Sequence, residues 1–199
     1  MDFLLAFAFI FVVAFLSNVS PFFGASYTLV ATLQLSELGF SPFNFFLVVW
    51  ASAMGATIAK VVIYYGAFGL RGVLVKNRNM QLIGRNKTKG RFYLVLFATA
   101  LLPVHPLDDF SYIGAGANKA SIGAMTAVTM TAKLTKSALE IALQFTILKV
   151  IKNAFGFSGL QVTVALAVAF LLLGIGIYKL DWEKWYNRMR KTLLPNVNH

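Results

Sequence analysis

Six ionisable side chains occur in or beside apolar stretches of this sequence, where a charge needs a partner or a function. Three of them lie in one hydrophobic stretch at spacings of three, four and seven residues, which places them on one face of a helix. The other three follow or interrupt a pair of closely spaced prolines. Lysines can bind an anion, and carboxylates and histidine can take up protons. We therefore predict that these residues line a pathway for a substrate and for protons: His105, Asp108, Asp109, Lys133, Lys136 and Glu140.

Each of these residues also has a structural interpretation. Asp108 or Asp109 could cap the helix that follows by accepting hydrogen bonds from its first N–H groups. His105 could be a polar residue of a loop. Lys136 and Glu140 could form an ion pair, four residues apart, that makes their burial tolerable. The sequence leaves these alternatives open.

Composition identifies an integral membrane protein. The 199 residues are 58% hydrophobic and 13% charged, whereas a soluble domain is roughly half apolar with about a quarter of its residues charged. Mean hydropathy is +0.72. Cysteine is absent, which excludes disulfides, iron-sulfur clusters and thiolate zinc sites. We expect no cofactor and no bound metal.

The net charge of +11 is typical of nucleic-acid-binding proteins, but the positions of the charges predict no nucleic-acid partner. The basic residues lie beside apolar segments, in a loop at 71–91 and in the tail. By the positive-inside rule both regions are cytoplasmic, which predicts a multi-pass protein of the cytoplasmic membrane. These basic residues are Arg71, Lys76, Arg78, Arg85, Lys87, Lys89, Arg91, Lys184, Arg188, Arg190 and Lys191.

Two prolines break the apolar run around the aspartates. Pro103 and Pro106 each remove a helical hydrogen bond, so the chain must turn or unwind there. The arms at 92–102 and 109–118 are about half the ~20 residues that a helix needs to cross a bilayer. The pattern predicts a re-entrant hairpin with these prolines at its tip. Backbone without hydrogen-bond partners at that depth needs protein or water around it, so a cavity is also predicted.

The same device occurs earlier in the chain. Val19-Ser20-Pro21 is followed by Ser26-Tyr27 at the distance that separates Val104-His105-Pro106 from Ser111-Tyr112. We predict a first re-entrant tip at Ser20, Pro21 and Gly24 and an internal duplication, which is a mark of transporter folds. The alternative for residues 3–17 is a simple transmembrane helix.

The predicted fold is an all-α integral membrane protein with an inverted repeat of two re-entrant helical hairpins and about three full transmembrane helices. Its single membrane domain, 1–199, divides into repeat unit 1 at 1–70, the basic cytoplasmic loop at 71–91, repeat unit 2 at 92–155, and a final transmembrane helix and basic cytoplasmic tail at 156–199. The full spans are predicted at 43–69, 123–150 and 160–180. The loop at 71–91 contains at most a short interfacial helix.

The first full span carries a stripe of small residues at four-residue spacing, Ala51, Gly55 and Ala59. Such a stripe lets another helix approach closely. Lys60 lies beside the stripe, and we interpret it as a lysine whose side chain extends toward the membrane surface, in preference to the alternative of a functional lysine.

The chain resembles the DedA/VTT (SNARE-associated Golgi protein-like) superfamily over nearly its whole length. Ser20-Pro21-Phe22-Phe23-Gly24 with Gly55 resembles the first unit of that family, and Leu102-Pro103 through Asp109 with Gly114-Ala115-Gly116 resembles the second. The usual carboxylate of the first unit is missing here. The arginines around the second proline are also missing, because Ala100 and Pro106 stand three residues before and after Pro103.

The resemblance implies lipid transport, by flippases of polyprenyl-phosphate carriers or by phospholipid scramblases, with proton-linked transport. We therefore predict a membrane lipid transporter, a flippase or scramblase, whose partners are anionic lipid headgroups. Two alternatives stay open: a proton-coupled exporter of small cations or drugs, and a non-transporting scaffold. Small-residue stripes would also serve assembly, including a homo-oligomer.

An enzyme is not predicted. Adjacent Asp108 and Asp109 would diverge, whereas an aspartyl intramembrane protease brings two carboxylates together from separate helices. The sequence contains no Ser-His-Asp arrangement, metal-ligand pattern or Gly-rich nucleotide motif.

The predicted topology can be tested with single cysteines, because the parent chain has none. We expect Asn18→Cys and Gly39→Cys to react with an impermeant thiol reagent in intact cells. Lys87→Cys and Asn196→Cys should react only after permeabilisation. Labelling of Lys87→Cys from outside would contradict this topology.

Overall fold

The chain folds mainly into long apolar helices. The computed structural model describes residues 3–19, 27–77, 80–81, 90–102 and 107–179. Within these ranges the chain forms helices and no strand, so the predicted all-α class is confirmed. The helices are α1 Phe3–Val19, α2 Tyr27–Leu38, α3 Pro42–Gly69, α4 Arg71–Leu74, α5 Gly90–Leu101, α6 Leu107–Ala117, α7 Ile122–Phe155 and α8 Gly159–Lys179.

The predicted helical segments correspond to these elements. The segments at 43–69, 123–150 and 160–180 fall on α3, α7 and α8, and the two short arms fall on α5 and α6, of 12 and 11 residues. Helix α4, of four residues, lies at the start of the basic loop, for which at most a short helix is predicted. The predicted tip residues lie outside the described part of the chain: Ser20, Pro21, Gly24, Pro103, His105 and Pro106.

Helix α3 is, among the described residues, the one helix that combines the length and apolar composition needed to cross a membrane. Its 28 residues extend about 42 Å. Ser41 caps its start by accepting a hydrogen bond of 3.0 Å from the backbone N–H of Asn44, and Pro42 occupies the first turn, where its missing N–H costs nothing. Helix α7 is longer, at 34 residues, but carries charges near its middle.

The small-residue stripe of α3 is buried against α1, as predicted. Ala51 and Ala59 are fully buried. A methyl group on Gly55 would overlap the carbonyl oxygen of Phe11 and lie 3.0 Å from Cβ of Ala14. Only glycine therefore allows the two helix backbones to approach this closely.

Helix α6 lies along the C-terminal half of α3. A methyl group on Gly116 would overlap the carbonyl oxygen of Tyr64 and lie 3.2 Å from Cβ of Ala67. The Tyr64 hydroxyl donates a hydrogen bond of 2.6 Å to the carbonyl of Ala120, just beyond the end of α6. These contacts fix how far α6 extends along α3, and so place the side chains of its first turn.

Lys119 terminates α6 in a conformation that usually belongs to glycine. Its N–H bonds to the carbonyl of Gly116 at 3.2 Å and the N–H of Ala120 bonds to that of Ala115 at 2.9 Å, the hydrogen-bond pair of a Schellman motif. The φ angle of Lys119 is +53°. A side chain in this left-handed region costs about 1 kcal/mol.

The close contact between α1 and α3 predicts different outcomes at two glycines of α3. Gly55→Ala should lower the free energy of unfolding by about 1–3 kcal/mol, because the new methyl group displaces the α1 backbone. Gly66→Ala should leave it unchanged or raise it by up to about 1 kcal/mol, since nothing lies within 4 Å of the new Cβ and alanine favours helix. Unfolding in mixed micelles of mild detergent and dodecyl sulfate measures both. Equal stability of the two variants would contradict the packing.

Candidate functional site

Two lysines and two aspartates meet in the interior, where the side chains of the first turn of α6 reach α3 and α7. Lys133 Nζ lies 3.0 Å from Asp108 Oδ2. Lys60 Nζ lies 3.5 Å from the same oxygen and also contacts Asp109 Oδ1. All four residues are 3–4% exposed. We call Lys60, Asp108, Asp109 and Lys133 the charge cluster.

Three helices position the charge cluster. Lys60 comes from α3 and Lys133 from α7, while both aspartates lie in the first turn of α6. The partial positive charge of a helix N-terminus stabilises carboxylates there. The Tyr112 hydroxyl, one turn further along α6, donates a hydrogen bond of 2.9 Å to Thr129 Oγ1 of α7 and holds these two helices together.

The charges of the cluster balance. Two ammonium groups face two carboxylates, and each ammonium contacts at least one carboxylate. Burying an unpaired ion costs several kcal/mol, and removing one partner of a buried pair typically costs about 3–5 kcal/mol. The arrangement is therefore tolerable as a set, whereas the loss of any one member leaves an uncompensated charge.

The predicted pathway residues thus divide into groups. Asp108, Asp109 and Lys133 come together. The two aspartate carboxylates contact lysines of two other helices, so they do more than cap α6. Lys136 and Glu140 form a separate pair. His105 lies outside the described residues.

Lys60 was misinterpreted from the sequence. The interpretation as a lysine extending to the membrane surface is wrong, because the side chain is buried and paired with both aspartates. A count of charges could have found it. The apolar stretches considered for the pathway hold three carboxylates but only two lysines, so one further buried cation was required.

Lys136 and Glu140 form the predicted ion pair along α7, with 3.9 Å between Nζ and Oε1. Both have further partners. Lys136 Nζ donates to the carbonyl of Leu102 at 3.1 Å, beside the end of α5. Thr28 Oγ1 of α2 donates to Glu140 Oε2 at 2.9 Å. The pair therefore connects α7 to the two helices next to the predicted re-entrant tips.

A row of polar contacts between α2 and α7 was not predicted. Thr32 Oγ1 donates to Gln144 Oε1 at 2.9 Å, and Gln144 Nε2 donates to Thr28 Oγ1 at 3.0 Å. The Tyr27 hydroxyl lies 3.5 Å from Ser137 Oγ. All five residues are buried. Ser137 and Gln144 are seven residues apart on α7, as Lys133 and Glu140 are, so one side of this helix is polar for several turns.

Within the described ranges, no group of three or more histidine, aspartate or glutamate side chains is arranged to hold a metal ion. Comparisons with family models, with curated proteins and with solved structures give no match to this chain. The function is therefore argued from the charge cluster and its surroundings.

A double-mutant cycle tests the pairing of Lys60 with Asp109. Lys60→Met and Asp109→Asn should each lower the free energy of unfolding by about 3 kcal/mol, because each leaves a buried charge without its partner. The double variant keeps the balanced pair of Lys133 with Asp108, so it should be less destabilised than the sum of the single variants.

The control for this cycle is Lys149→Met, which removes an exposed lysine of α7 and should change stability by less than about 0.5 kcal/mol. Unfolding in mixed micelles measures all four variants. Additive effects of the two cluster substitutions would show that these side chains do not interact.

Proposed function

We propose that the protein is a membrane transporter that moves an anionic lipid across the bilayer, and that the charge cluster binds the lipid headgroup. The observation that carries this proposal is the buried, balanced set of two lysines and two aspartates at the start of a short helix. Ionisable residues in membrane segments are costly and usually mark a substrate or proton path.

The surface of the molecule supports a membrane location. Large apolar side chains face outward along several helices, for example Leu4 at 77%, Phe46 at 58%, Leu143 at 63% and Val164 at 55% exposure. Soluble monomers rarely expose large contiguous apolar patches, so outward-facing apolar side chains on several helices support a membrane location. In the proposed arrangement α3, α7 and α8 cross the cytoplasmic membrane, and α5 and α6 form a re-entrant hairpin whose tip approaches that of α1 and α2 in an inverted repeat.

A phosphate group fits the chemistry of the charge cluster. Lys60 and Lys133 are both held by carboxylates, so an entering phosphate competes with Asp108 and Asp109 for the same ammonium groups. The N-terminus of α6 adds a partial positive charge that favours an anion. The resemblance to the DedA/VTT superfamily points to the same class of substrate.

Proton linkage follows from charge balance. When phosphate binds to Lys60 or Lys133, the cluster gains negative charge that a buried site tolerates poorly. A proton taken up by Asp109 or Asp108 offsets one unit of that charge and releases the lysine from its carboxylate. Phosphate binding and proton uptake should therefore occur together, and binding should strengthen as pH falls. For a phosphate monoester such as polyprenyl phosphate this rise ends where the phosphate itself protonates, near about pH 6.

Lipid movement by purified protein in liposomes tests this function. With labelled phospholipid or polyprenyl phosphate, Lys133→Ala should slow flipping by about tenfold or more at every pH, because a charge-assisted hydrogen bond to the phosphate is lost. Asp109→Asn imitates the protonated carboxyl group and should flatten the pH dependence of flipping. Lys149→Ala, at an exposed position of the same helix, should flip lipid like the parent.

Thermal unfolding in detergent shows whether each variant is folded, and Lys133→Arg retains the charge if Lys133→Ala unfolds. Flipping by folded Lys133→Ala and Asp109→Asn at parental rates would contradict the proposal. The charge cluster would then be structural, as in a scaffold.

A further inference from the structure

A second basic site lies at the end of α3, away from the charge cluster. The surface pocket there has a volume of about 670 Å³ and is formed between α4 and the C-terminal end of α6. Its lining includes Arg71, Gly72, Lys76, Gln81, Asn118 and Lys119. We call it the basic pocket.

Amide side chains build the wall of the basic pocket. Asn118 Nδ2 donates to the carbonyls of Met80 at 2.7 Å and Gly114 at 2.8 Å, which ties the loop to α6. Gln81 Nε2 donates to the carbonyl of Val75 at 3.1 Å. These bonds hold the chain segments that carry the cations.

The charged side chains that line the basic pocket, among the described residues, are all positive. Arg71, Lys76 and Lys119 contribute three cations, and the lining that the structure describes includes no carboxylate. The Arg71 guanidinium lies 5.3 Å from the centre of the Phe68 ring, a contact that favours one orientation of the side chain. A planar guanidinium that lines the same pocket as two lysines suits the oxygens of a phosphate.

Lys119 occupies a backbone position where glycine is expected. The other described residues with positive φ are Gly39 at +80° and Gly156 at +68°, which follow α2 and α7. Lys119, at +53°, is the non-glycine exception among the described residues. A residue held in an unfavourable backbone conformation suggests that its side chain serves a function.

Apolar side chains beside the basic pocket favour a lipid over a soluble anion. Leu70 and Val73 are 64% and 73% exposed, in the same turns as Arg71. Exposed apolar groups next to cations are typical of segments that lie at a membrane interface. In the proposed arrangement this end of α3 is at the cytoplasmic surface.

We propose that the basic pocket binds the phosphate of an anionic phospholipid headgroup in the cytoplasmic leaflet. This inference depends on the membrane placement in the proposed function but needs no transport. In this proposal Lys119, Arg71 and Lys76 bind the phosphate. Leu70 and Val73 lie at the boundary between the lipid headgroups and the acyl chains.

Lys119→Gly separates binding from folding. Glycine relieves the backbone cost, so the melting temperature in detergent should stay the same or rise. Binding of fluorescent short-chain phosphatidylglycerol, measured by anisotropy in micelles, should weaken by about tenfold or more, because a charged hydrogen-bond donor to the phosphate is lost. Lys119→Arg should retain binding.

Gly72→Leu tests the pocket without removing a charge. Nothing lies within 4 Å of a Cβ at Gly72, so leucine fits the fold but occupies pocket volume, and binding should weaken. Gly69→Leu also meets nothing within 4 Å and does not line the pocket, so it should bind like the parent.

The assay is repeated in the Lys133→Ala background, which removes the headgroup contact proposed for transport. Parental flipping by Lys133→Ala with intact phosphatidylglycerol binding would overturn the proposed function alone. Parental binding by Lys119→Gly, or equal binding of phosphatidylglycerol and phosphatidylcholine, would overturn the basic pocket. Displacement of the lipid by inorganic phosphate at equal concentration would assign the pocket to a soluble anion and overturn the lipid assignment.

Discussion

Every ion buried in an apolar interior needs a counter-ion in contact with it, since the net cost of an unpaired charge is several kcal/mol. In this protein that constraint falls on Asp108 and Asp109, because two adjacent carboxylates carry two negative charges and one cation offsets only one of them. Lys60 of α3 and Lys133 of α7 supply the two cations from two other helices. The relative positions of three helices therefore depend on one set of ion pairs, and the rest of the packing accommodates it.

The surrounding contacts are arranged so that these helices can approach. Glycine allows backbone contact at Gly55 between α1 and α3 and at Gly116 between α6 and α3. Side-chain hydrogen bonds also join α7 to its neighbours. The hydroxyl group of Thr129 bonds to α6, and the amide group of Gln144 bonds to α2. Helix α6, about 16 Å long, carries the charge cluster at one end and the basic pocket at the other. The two sites proposed to bind phosphate are thus connected by one short helix.

Much of this fold could be predicted from local patterns. The helices follow from long apolar runs and from the prolines that limit them, and the close contact at Gly55 follows from the spacing of small residues. Asp108, Asp109 and Lys133 could be selected as candidate site residues, because a charge in an apolar stretch needs a partner or a function. Lys60 could not be assigned from its neighbours, since burial and surface extension look alike in sequence. The bonds of Thr28 and Gln144 depend on contacts between segments more than a hundred residues apart, which no local pattern encodes.

The contact between the ammonium and carboxylate groups is the claim on which the account depends. Solid-state NMR can measure it by dipolar dephasing between ¹⁵N at lysine Nζ and ¹³C at aspartate Cγ in protein reconstituted into bilayers. We expect strong dephasing from two lysines, matching the nitrogen-to-oxygen distances of 3.0 and 3.5 Å to Asp108. One of the two signals should disappear in Lys60→Met and the other in Lys133→Met. Absence of dephasing, or dephasing that neither substitution changes, would contradict the charge cluster.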